Sequence, residues 1–197
     1  MDSTLNLQAR LKRCRPAHLL MGVFFQGTVE HLERLIGSEV TDELRAQVKS
    51  TQTPLSPVLF YPASDYLRLL QLGAQALVAR GRSFPVAMEE LGYGSAEALF
   101  ASSMGKMLLA AAEKGPHEGF SEVPAVTKML AHFGEREYQR VAEARGRFIF
   151  RGALQGPSWT IGLLRAGLER IAGRAGTLEV DPAAFIPYLD FTVELHW

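Results

Sequence analysis

The chain has 197 residues, of which 47% are hydrophobic, and its 21 basic and 21 acidic residues cancel to a formal net charge of zero. This composition is typical of one folded domain and excludes disordered, collagen-like and coiled-coil proteins. Because no overall charge attracts polyanions, we expect neither nucleic acid nor an anionic membrane as a partner.

The cysteine count indicates the cellular compartment, and the hydropathy pattern argues against a membrane-spanning helix. The single cysteine, Cys14, excludes an internal disulfide and cannot build a four-ligand zinc site, which favours a reducing compartment, the cytoplasm. The longest uncharged stretches, Pro16–Val29 and Ser50–Ser64, are too short or too rich in proline for a membrane-spanning helix. We predict a basic lead-in over residues 1–15, loose or as a short helix, and a single domain over residues 16–197.

The first two thirds of the chain predict mainly helices. Aromatic density predicts a first strand over His18–Gln26, followed by a helix that Thr28 begins and Gly37 ends. Three prolines make Ser50–Pro62 a linker within the domain. The other predicted helices are, in chain order, Thr41–Lys49, Asp65–Arg80, Pro85–Leu91, Ser95–Lys114 and Ser121–Phe133. The helix over Asp65–Arg80 is apolar nearly all round, so we expect it at the centre of the domain.

From Tyr138 the hydrophobic pattern alternates, which predicts strands. We predict a hairpin in which Tyr138–Glu143 pairs with the strand around Phe148. A helix that begins at Gly156–Pro157 follows the hairpin, and after this helix comes a short strand, Thr177–Val180. The last strand is predicted to bury Leu189, Phe191, Val193, Leu195 and Trp197, and to turn Tyr188, Asp190, Thr192, Glu194 and His196 the other way. The fold class is therefore α+β: a mainly helical first two thirds packed on a small antiparallel sheet, with a crossover helix near the C-terminus.

Two short motifs imitate catalytic loops without the required context. Gly92, Tyr93 and Gly94 resemble a dinucleotide fingerprint, but Glu97 replaces the third glycine and the motif follows a helix, which favours a turn between helices. Ser103 stands where a nucleophile elbow would place its serine, but inside a predicted helix. We expect no catalytic residue in either motif.

The histidines do not have the spacing of a metal site. They are His18, His31, His117, His132 and His196. His132, near a helix end, is the best candidate for a single axial haem ligand; the alternative is a surface histidine beside the negative end of a helix dipole. We expect no metal and no cofactor.

Cys14 lies among basic residues, which would lower the pKa of its thiol and make it reactive. The alternative is an incidental thiol in the lead-in, and it is the interpretation we favour.

Three arginines form the best candidate for an anion site. A period of two places Arg145, Arg147 and Arg151 on one face of a strand, where they would clamp a phosphate or carboxylate. The alternative, which we favour, is that Asp190 and Glu194 on the last strand pair with these arginines across the sheet.

Several short motifs carry a resemblance to a known family. They are Tyr61-Pro62 before a long helix, the Pro85–Leu91 helix ending in Gly92, the segment Gly152-Ala153-Leu154 before the helix of Trp159, and a final strand ending in Trp197. In these motifs the chain resembles an uncharacterised paralogous family abundant in myxobacteria, over roughly Pro16–Trp197. In that family arginine usually follows the Leu-Gly pair, where this chain has Tyr93, so no site built on that position is transferred.

The order of elements is more distantly similar to 4-vinyl-reductase-type domains, haem nitric-oxide-binding domains and Bet3-like subunits. The Tyr-x-Ser-x-Arg motif that contacts haem propionates in the nitric-oxide family has no match, which counts against haem. Members of this wider group often dimerise, so the resemblance implies a homodimer.

Two functions from different classes follow. The first is a non-enzymatic regulatory or sensory domain, with a small-molecule ligand in a pocket between the Asp65–Arg80 helix and the sheet. The second is a protein-interaction adaptor without a ligand, which assembles through an exposed apolar patch or the edge of the final strand. An enzyme comes third, because it needs convergent polar groups that the sequence does not indicate.

Overall fold

A computed structural model describes the backbone of residues 2–186 and 189–197 and their side chains except those of 182–186. The helices are α1 (Thr4–Leu11), α2 (Gly22–Ile36), α3 (Ser38–Ala46), α4 (Ala63–Val78), α5 (Phe84–Ala101), α6 (Ser103–Ala112), α7 (Pro116–Leu130) and α8 (Pro157–Gly167). The strands are β1 (Leu19–Met21), β2 (Phe60–Pro62), β3 (Glu135–Ala142), β4 (Arg145–Arg151), β5 (Thr177–Ile186) and β6 (Asp190–His196). A 3₁₀ helix covers Lys49–Thr51 and a π-helix covers Leu168–Ala172. The α+β class is confirmed.

The larger sheet has the strand order β3-β4-β6-β5, and all neighbouring strands are antiparallel. Because β6 lies between β4 and β5, the helix α8 carries the chain across one strand position, as the predicted crossover helix does. The final strand is therefore internal, and the expectation that its edge mediates assembly is wrong. Its backbone groups already pair on both sides, so β3 and β5 are the edges.

Burial alternates along the two central strands as the sequence predicts. On β6 the side chains of Phe191, Val193 and Leu195 are buried and those between them are partly exposed. Phe191 faces Phe150 of β4 across the ladder, with ring centroids 4.9 Å apart. The apolar face of the sheet is thus packed against helices. Tyr188, which the sequence assigns to the opposite face, lies outside the described residues.

The predicted first strand is wrong for most of its length. Only Leu19–Met21 is extended, where it pairs with β2 in a two-stranded sheet, and Phe24 and Phe25 lie in α2. Helical spacing of the apolar residues lets α2 bury a broad face, and this tertiary burial outweighs the strand preference of aromatic side chains. Thr28 is consequently buried inside the helix instead of beginning it, whereas Gly37 ends the helix as predicted, with φ +86°.

One continuous helix, α5, replaces the two helices predicted to meet at Gly92. The glycine is needed for packing, because a Cβ atom on Gly92 would collide with the backbone carbonyl of Trp159. A Cβ atom on Gly162 of α8 would likewise collide with the backbone carbonyl of Glu89 on α5. Absence of side chains at these points lets the two helix backbones approach closely. The turn predicted for the Gly92–Gly94 motif does not exist.

Other helix boundaries move by a few residues. Ser102 begins α6 by accepting a 3.3 Å hydrogen bond from the Gly105 N–H. The helix α7 begins at Pro116, so Ser121 lies inside it and its hydroxyl donates to the His117 carbonyl at 2.6 Å. The helix α4 contacts α1, α2, α3 and α5 and buries one broad face, while Arg68, Gln75 and Val78 are exposed. The expected burial on nearly all sides is therefore wrong.

The N-terminal segment includes the helix α1, which packs on α4. Arg10 on this helix is 1% exposed and forms an ion pair with Asp2, with 2.9 Å between Nη1 and Oδ1. The same guanidinium donates to the Gln155 carbonyl at 3.3 Å. This hydrogen bond thus connects the N-terminal segment to the loop before α8. The boundary between a lead-in over residues 1–15 and a domain over residues 16–197 stays a prediction.

Every helix within the part of the chain that the structure describes is too short or too polar to cross a lipid bilayer.

Candidate functional site

The seam between the helical layer and the sheet holds a small internal cavity. Its walls come from α2, α7, α8 and β4, and include the side chains of Phe24, Phe150 and Trp159. The cavity volume is about 30 Å³, which holds about one water molecule, whereas pockets for drug-sized ligands measure about 300–1,000 Å³. The helix α4, expected as one wall, contributes none of the described lining residues. This seam is closed to an organic ligand.

Trp159 lines the seam, and two contacts fix its indole ring. The ring packs against Phe24 with centroids 5.9 Å apart. Its Nε1 donates a 3.0 Å hydrogen bond to the hydroxyl of Tyr66 on α4. The side chain is held by both apolar and polar contacts, so opening the seam would break both.

A buried hydroxyl network lies behind the indole. The Tyr66 hydroxyl also shares hydrogen bonds with Thr28 at 3.0 Å and Ser95 at 2.8 Å, and Ser95 donates to the Leu91 carbonyl at 2.7 Å. Burial raises the pKa of Tyr66 to about 12, against the opposing effect of these hydrogen bonds. The phenol is therefore neutral at physiological pH and joins four helices, α2, α4, α5 and α8.

Arg136 on β3 borders the seam from the sheet side. Its Nη1 donates to the carbonyls of Phe133 at 2.8 Å and Gly134 at 3.3 Å. Burial lowers the pKa of this guanidinium to about 10, which still leaves it charged at neutral pH. It holds the turn between α7 and β3.

The residues present do not fit a haem. His132 is exposed and stacks on Phe60 with ring centroids 4.2 Å apart, outside the seam. His117 is buried, but its Nδ1 lies 2.6 Å from the Tyr138 hydroxyl and its Nε2 lies 2.8 Å from the Ala142 carbonyl. Neither ring is available as an axial ligand beside a cavity of this size. The candidacy of His132 is therefore wrong.

The predicted arginines lie on the polar face of β4, and two of them meet one carboxylate. Arg145 Nε is 2.8 Å from Glu194 Oε2, and Arg147 Nε is 2.6 Å from Oε1. Arg151 is at the other end of the strand, 3.6 Å from Glu137. The structure thus places Arg145 and Arg147 together and Arg151 apart, with an acidic partner for each. Their role in binding an external anion stays a prediction.

A larger groove lies at the surface, where the segment after α1 faces the turns at one end of the sheet. Its volume is about 500 Å³. Basic side chains line one side, and buried apolar side chains and two glycines of positive φ lie on the other. We call this the basic groove; its lining residues are Lys12, Arg13, Cys14, Arg15, His18, Phe133, Gly134, Gly152, Leu154 and Leu189.

The lining cations of the basic groove are exposed, and none of its described lining residues is acidic. Among the described residues no ion pair is formed by Lys12, Arg13 or Arg15. The nearby Asp190 accepts a 2.7 Å hydrogen bond from the Gly152 N–H. The charge on this wall of the groove is therefore not neutralised by a contacting carboxylate.

Cys14 lies in the same groove but is not activated. Burial raises the pKa of its thiol to about 11, and its Sγ lies 3.8 Å from the Arg10 carbonyl. A thiol in this state is protonated at neutral pH and unreactive. The lowered pKa considered from the sequence is wrong, because burial outweighs the neighbouring positive charge.

Sequence reasoning missed the groove as a site. The basic residues around Cys14 were the available signal, but their opposite wall comes from residues 133–134, 152–154 and 189. Only folding brings these distant segments together.

Comparison with solved structures identifies the fold. An Fe(II) unliganded H-NOX protein from K. algicida is 16% identical, with a TM-score of 0.68 over 90% of this chain and 96% of that chain. An Fe(II) H-NOX protein from S. oneidensis is 14% identical, with a TM-score of 0.65 over 90% and 95% of the two chains. An oxygen-binding H-NOX domain related to soluble guanylate cyclases is 13% identical, with a TM-score of 0.58 over 90% and 94%. At these identities the likeness establishes the fold alone.

The distant similarity to haem nitric-oxide-binding domains is thus confirmed at the level of fold. The similarities to 4-vinyl-reductase-type and Bet3-like domains, and the myxobacterial and paralogous character of the family, stay predictions. No curated protein matches the chain. A family model described as a protein of unknown function, DUF2378, matches residues 13–197, and the chain therefore belongs to the DUF2378 family.

Proposed function

We propose that this chain is a non-enzymatic regulatory domain that senses a small molecule without haem. One contrast carries the proposal: the seam of this H-NOX-like fold has a cavity of about 30 Å³, whereas the basic groove has about 500 Å³. A volume of the second size accommodates a small organic ligand and the first does not. The ligand therefore binds outside the seam, and we place it in the basic groove because the exposed cations there form no ion pair among the described residues.

The position of the groove supports a regulatory role. Its walls come from the segment that follows α1, the α7–β3 turn, and the loops beside β4 and β6. A ligand that contacts several of these walls stabilises one arrangement of α1 relative to the sheet. A partner that reads the position of α1 would then respond to the ligand.

The interior polar groups support a non-enzymatic role. The hydroxyls of Tyr66, Thr28 and Ser95 bond to one another, and both ring nitrogens of His117 are engaged. These side chains satisfy buried hydrogen-bonding groups and do not face the basic groove.

The test is a ligand panel of neutral, cationic and anionic metabolites. We expect at least one of them to raise the melting temperature in differential scanning fluorimetry and to add a defined mass in native mass spectrometry. A bulky variant, His18→Trp, should abolish this shift because His18 lines the groove, while Arg80→Trp, on an exposed helix end, should retain it.

A second measurement addresses haem and the adaptor alternative. Addition of haemin should give no stoichiometric complex by absorbance, because the seam has no space for the macrocycle. If no compound of any class binds and the chain instead forms a stable homodimer or captures a protein partner, the sensor proposal fails and the adaptor function replaces it.

A further inference from the structure

We infer that the basic groove binds an organic phosphate, a phosphomonoester of nucleotide size whose phosphate group contacts Arg13 and Arg15. This inference rests on the proposed function and names the chemical class of its ligand.

The charge of the groove indicates the charge of the ligand. The side chains of Lys12, Arg13 and Arg15 are exposed, and no ion pair involves them in the described part of the chain. The chain as a whole has no net charge, so this group is a local feature rather than part of a general basic surface. Several cations without acidic partners, gathered on one wall, favour a ligand that carries more than one negative charge.

The chemistry of the side chains favours phosphate. A guanidinium presents paired N–H donors that match two phosphate oxygens, and an ammonium adds a further donor. A phosphomonoester carries about 1.5–2 negative charges at neutral pH and several strong acceptor oxygens. A carboxylate supplies only one charge to the same set of cations.

The opposite wall indicates that the ligand has an apolar part. The wall contains three apolar side chains that are each at most 9% exposed, Phe133, Leu154 and Leu189. The apolar surface that they present to the groove is therefore small, and it is continuous with the hydrophobic core. The ring of His18 lies 5.9 Å from the ring of Phe133. Burial and the charge of Arg15 lower the pKa of His18 below its ordinary value, which favours the neutral form of this ring beside Phe133. This wall therefore offers the organic part of the ligand an apolar contact beside the phosphate.

The experiment measures binding of AMP, adenosine and inorganic phosphate to the full chain by isothermal titration calorimetry at low ionic strength. We expect AMP to bind with one-to-one stoichiometry, adenosine not to bind, and inorganic phosphate to bind at least about tenfold more weakly than AMP, because it lacks the apolar part. Raising the salt concentration should weaken AMP binding.

Matched variants locate the site. The pair Arg13→Gln and Arg15→Gln should weaken AMP binding by about tenfold or more, since it removes the two guanidinium contacts. The control pair, Arg140→Gln and Arg174→Gln, changes the net charge equally. Both control residues are exposed and lie near the other end of the sheet from Gly152 and Leu189. The control should leave the affinity unchanged, and both proteins should keep the wild-type melting temperature.

The outcomes separate this inference from the proposed function. If the metabolite panel yields only neutral or cationic ligands, the phosphate assignment is overturned while the sensor function stands. Equal weakening by the two variant pairs overturns the site, because it indicates attraction by overall charge. If no compound binds, both proposals fail.

Discussion

Trp159 donates the hydrogen bond from its indole Nε1 to the hydroxyl of Tyr66 at 3.0 Å, across 93 positions of sequence. The two rings meet nearly edge to face, with centroids 6.2 Å apart and an interplanar angle of 86°. This contact joins α8 to α4 and holds Trp159 at the wall of the seam cavity. The haem-free proposal depends on it.

Tyr66→Phe should lower the free energy of unfolding by about 1–3 kcal/mol, because the buried Nε1 of Trp159 loses its acceptor. Thr28 and Ser95 keep their 2.9 Å contact, so the indole is the group left unsatisfied. Urea denaturation measures the loss. The control Tyr93→Phe removes a hydroxyl that bonds to Glu169 at the surface and should cost about 0.5 kcal/mol or less. Equal losses for the two variants would contradict the proposed role of the network.

Gly162→Ala should destabilise the protein by about 1–3 kcal/mol or more, because the new methyl group overlaps the Glu89 carbonyl on α5. Gly167→Ala on the same helix is the control, since its methyl group would only reach ordinary contact with Phe120, at 3.7 Å. That variant should be neutral or more stable by about 0.5–1 kcal/mol, as expected for alanine in a helix. Chemical denaturation should therefore show a loss for Gly162→Ala and none for Gly167→Ala, and equal losses would show that the helices do not cross this closely.

Phe191→Ala should cost about 3–5 kcal/mol, because it removes a side chain that is 1% exposed and stacked on Phe150. Val58→Ala, at a side chain that is 69% exposed, should change stability by about 0.5 kcal/mol or less. Guanidinium denaturation of both variants provides the comparison. A loss below about 1 kcal/mol for Phe191→Ala would mean that β6 does not pack on the helical layer.

Glu194→Gln should reduce the sensitivity of the protein to acid. Burial opposes ionisation of this carboxyl, but hydrogen bonds from Arg145 and Arg147 outweigh it and lower its pKa below the ordinary value of 4.5. A carboxyl with a lowered pKa stabilises the fold above the pKa of the unfolded chain, and this contribution disappears as pH falls through the lowered value. The difference in stability between wild type and variant should therefore be present at pH 6 and shrink as the pH falls below 4.5. Glu113→Gln, at an exposed helix end, serves as the control and should give no such difference.

Arg147→Glu tests the predicted anion site on β4. The change removes the 2.6 Å contact with Glu194 and places two carboxylates across the ladder, so stability should fall by about 1 kcal/mol or less at this partly exposed position. Binding of AMP to the basic groove should be unchanged in calorimetry. Loss of AMP binding in this variant, with the fold intact, would instead locate the anion site on β4.

Hydrophobic periodicity determined much of the architecture. The alternation at Phe148, Phe150, Phe191 and Val193 placed the central strands of the sheet correctly, because each strand has one buried face and one polar face. It overestimated the burial of α4, which packs one broad face against other helices and leaves Arg68 and Gln75 exposed.

Local signals failed where tertiary packing changes their meaning. Gly92 has the residue type of a helix end, yet it serves a close approach of two helices. Phe24 and Phe25 favour a strand locally, yet they gain more burial in α2. In both cases the deciding contact is made by a residue far along the chain, and no short window of sequence contains it.

The amino-acid sequence by itself determined the α+β class, the alternating strands and the basic character of residues 12–15. Only the tertiary structure decided that Trp159 lines a seam cavity of about 30 Å³ and that Glu194 pairs with two arginines, Arg145 and Arg147. The same is true of the groove between residues 12–18 and the distant turns. The physical reason is that periodicity reports which side of an element is buried, whereas a cavity or a charge partner depends on which elements meet.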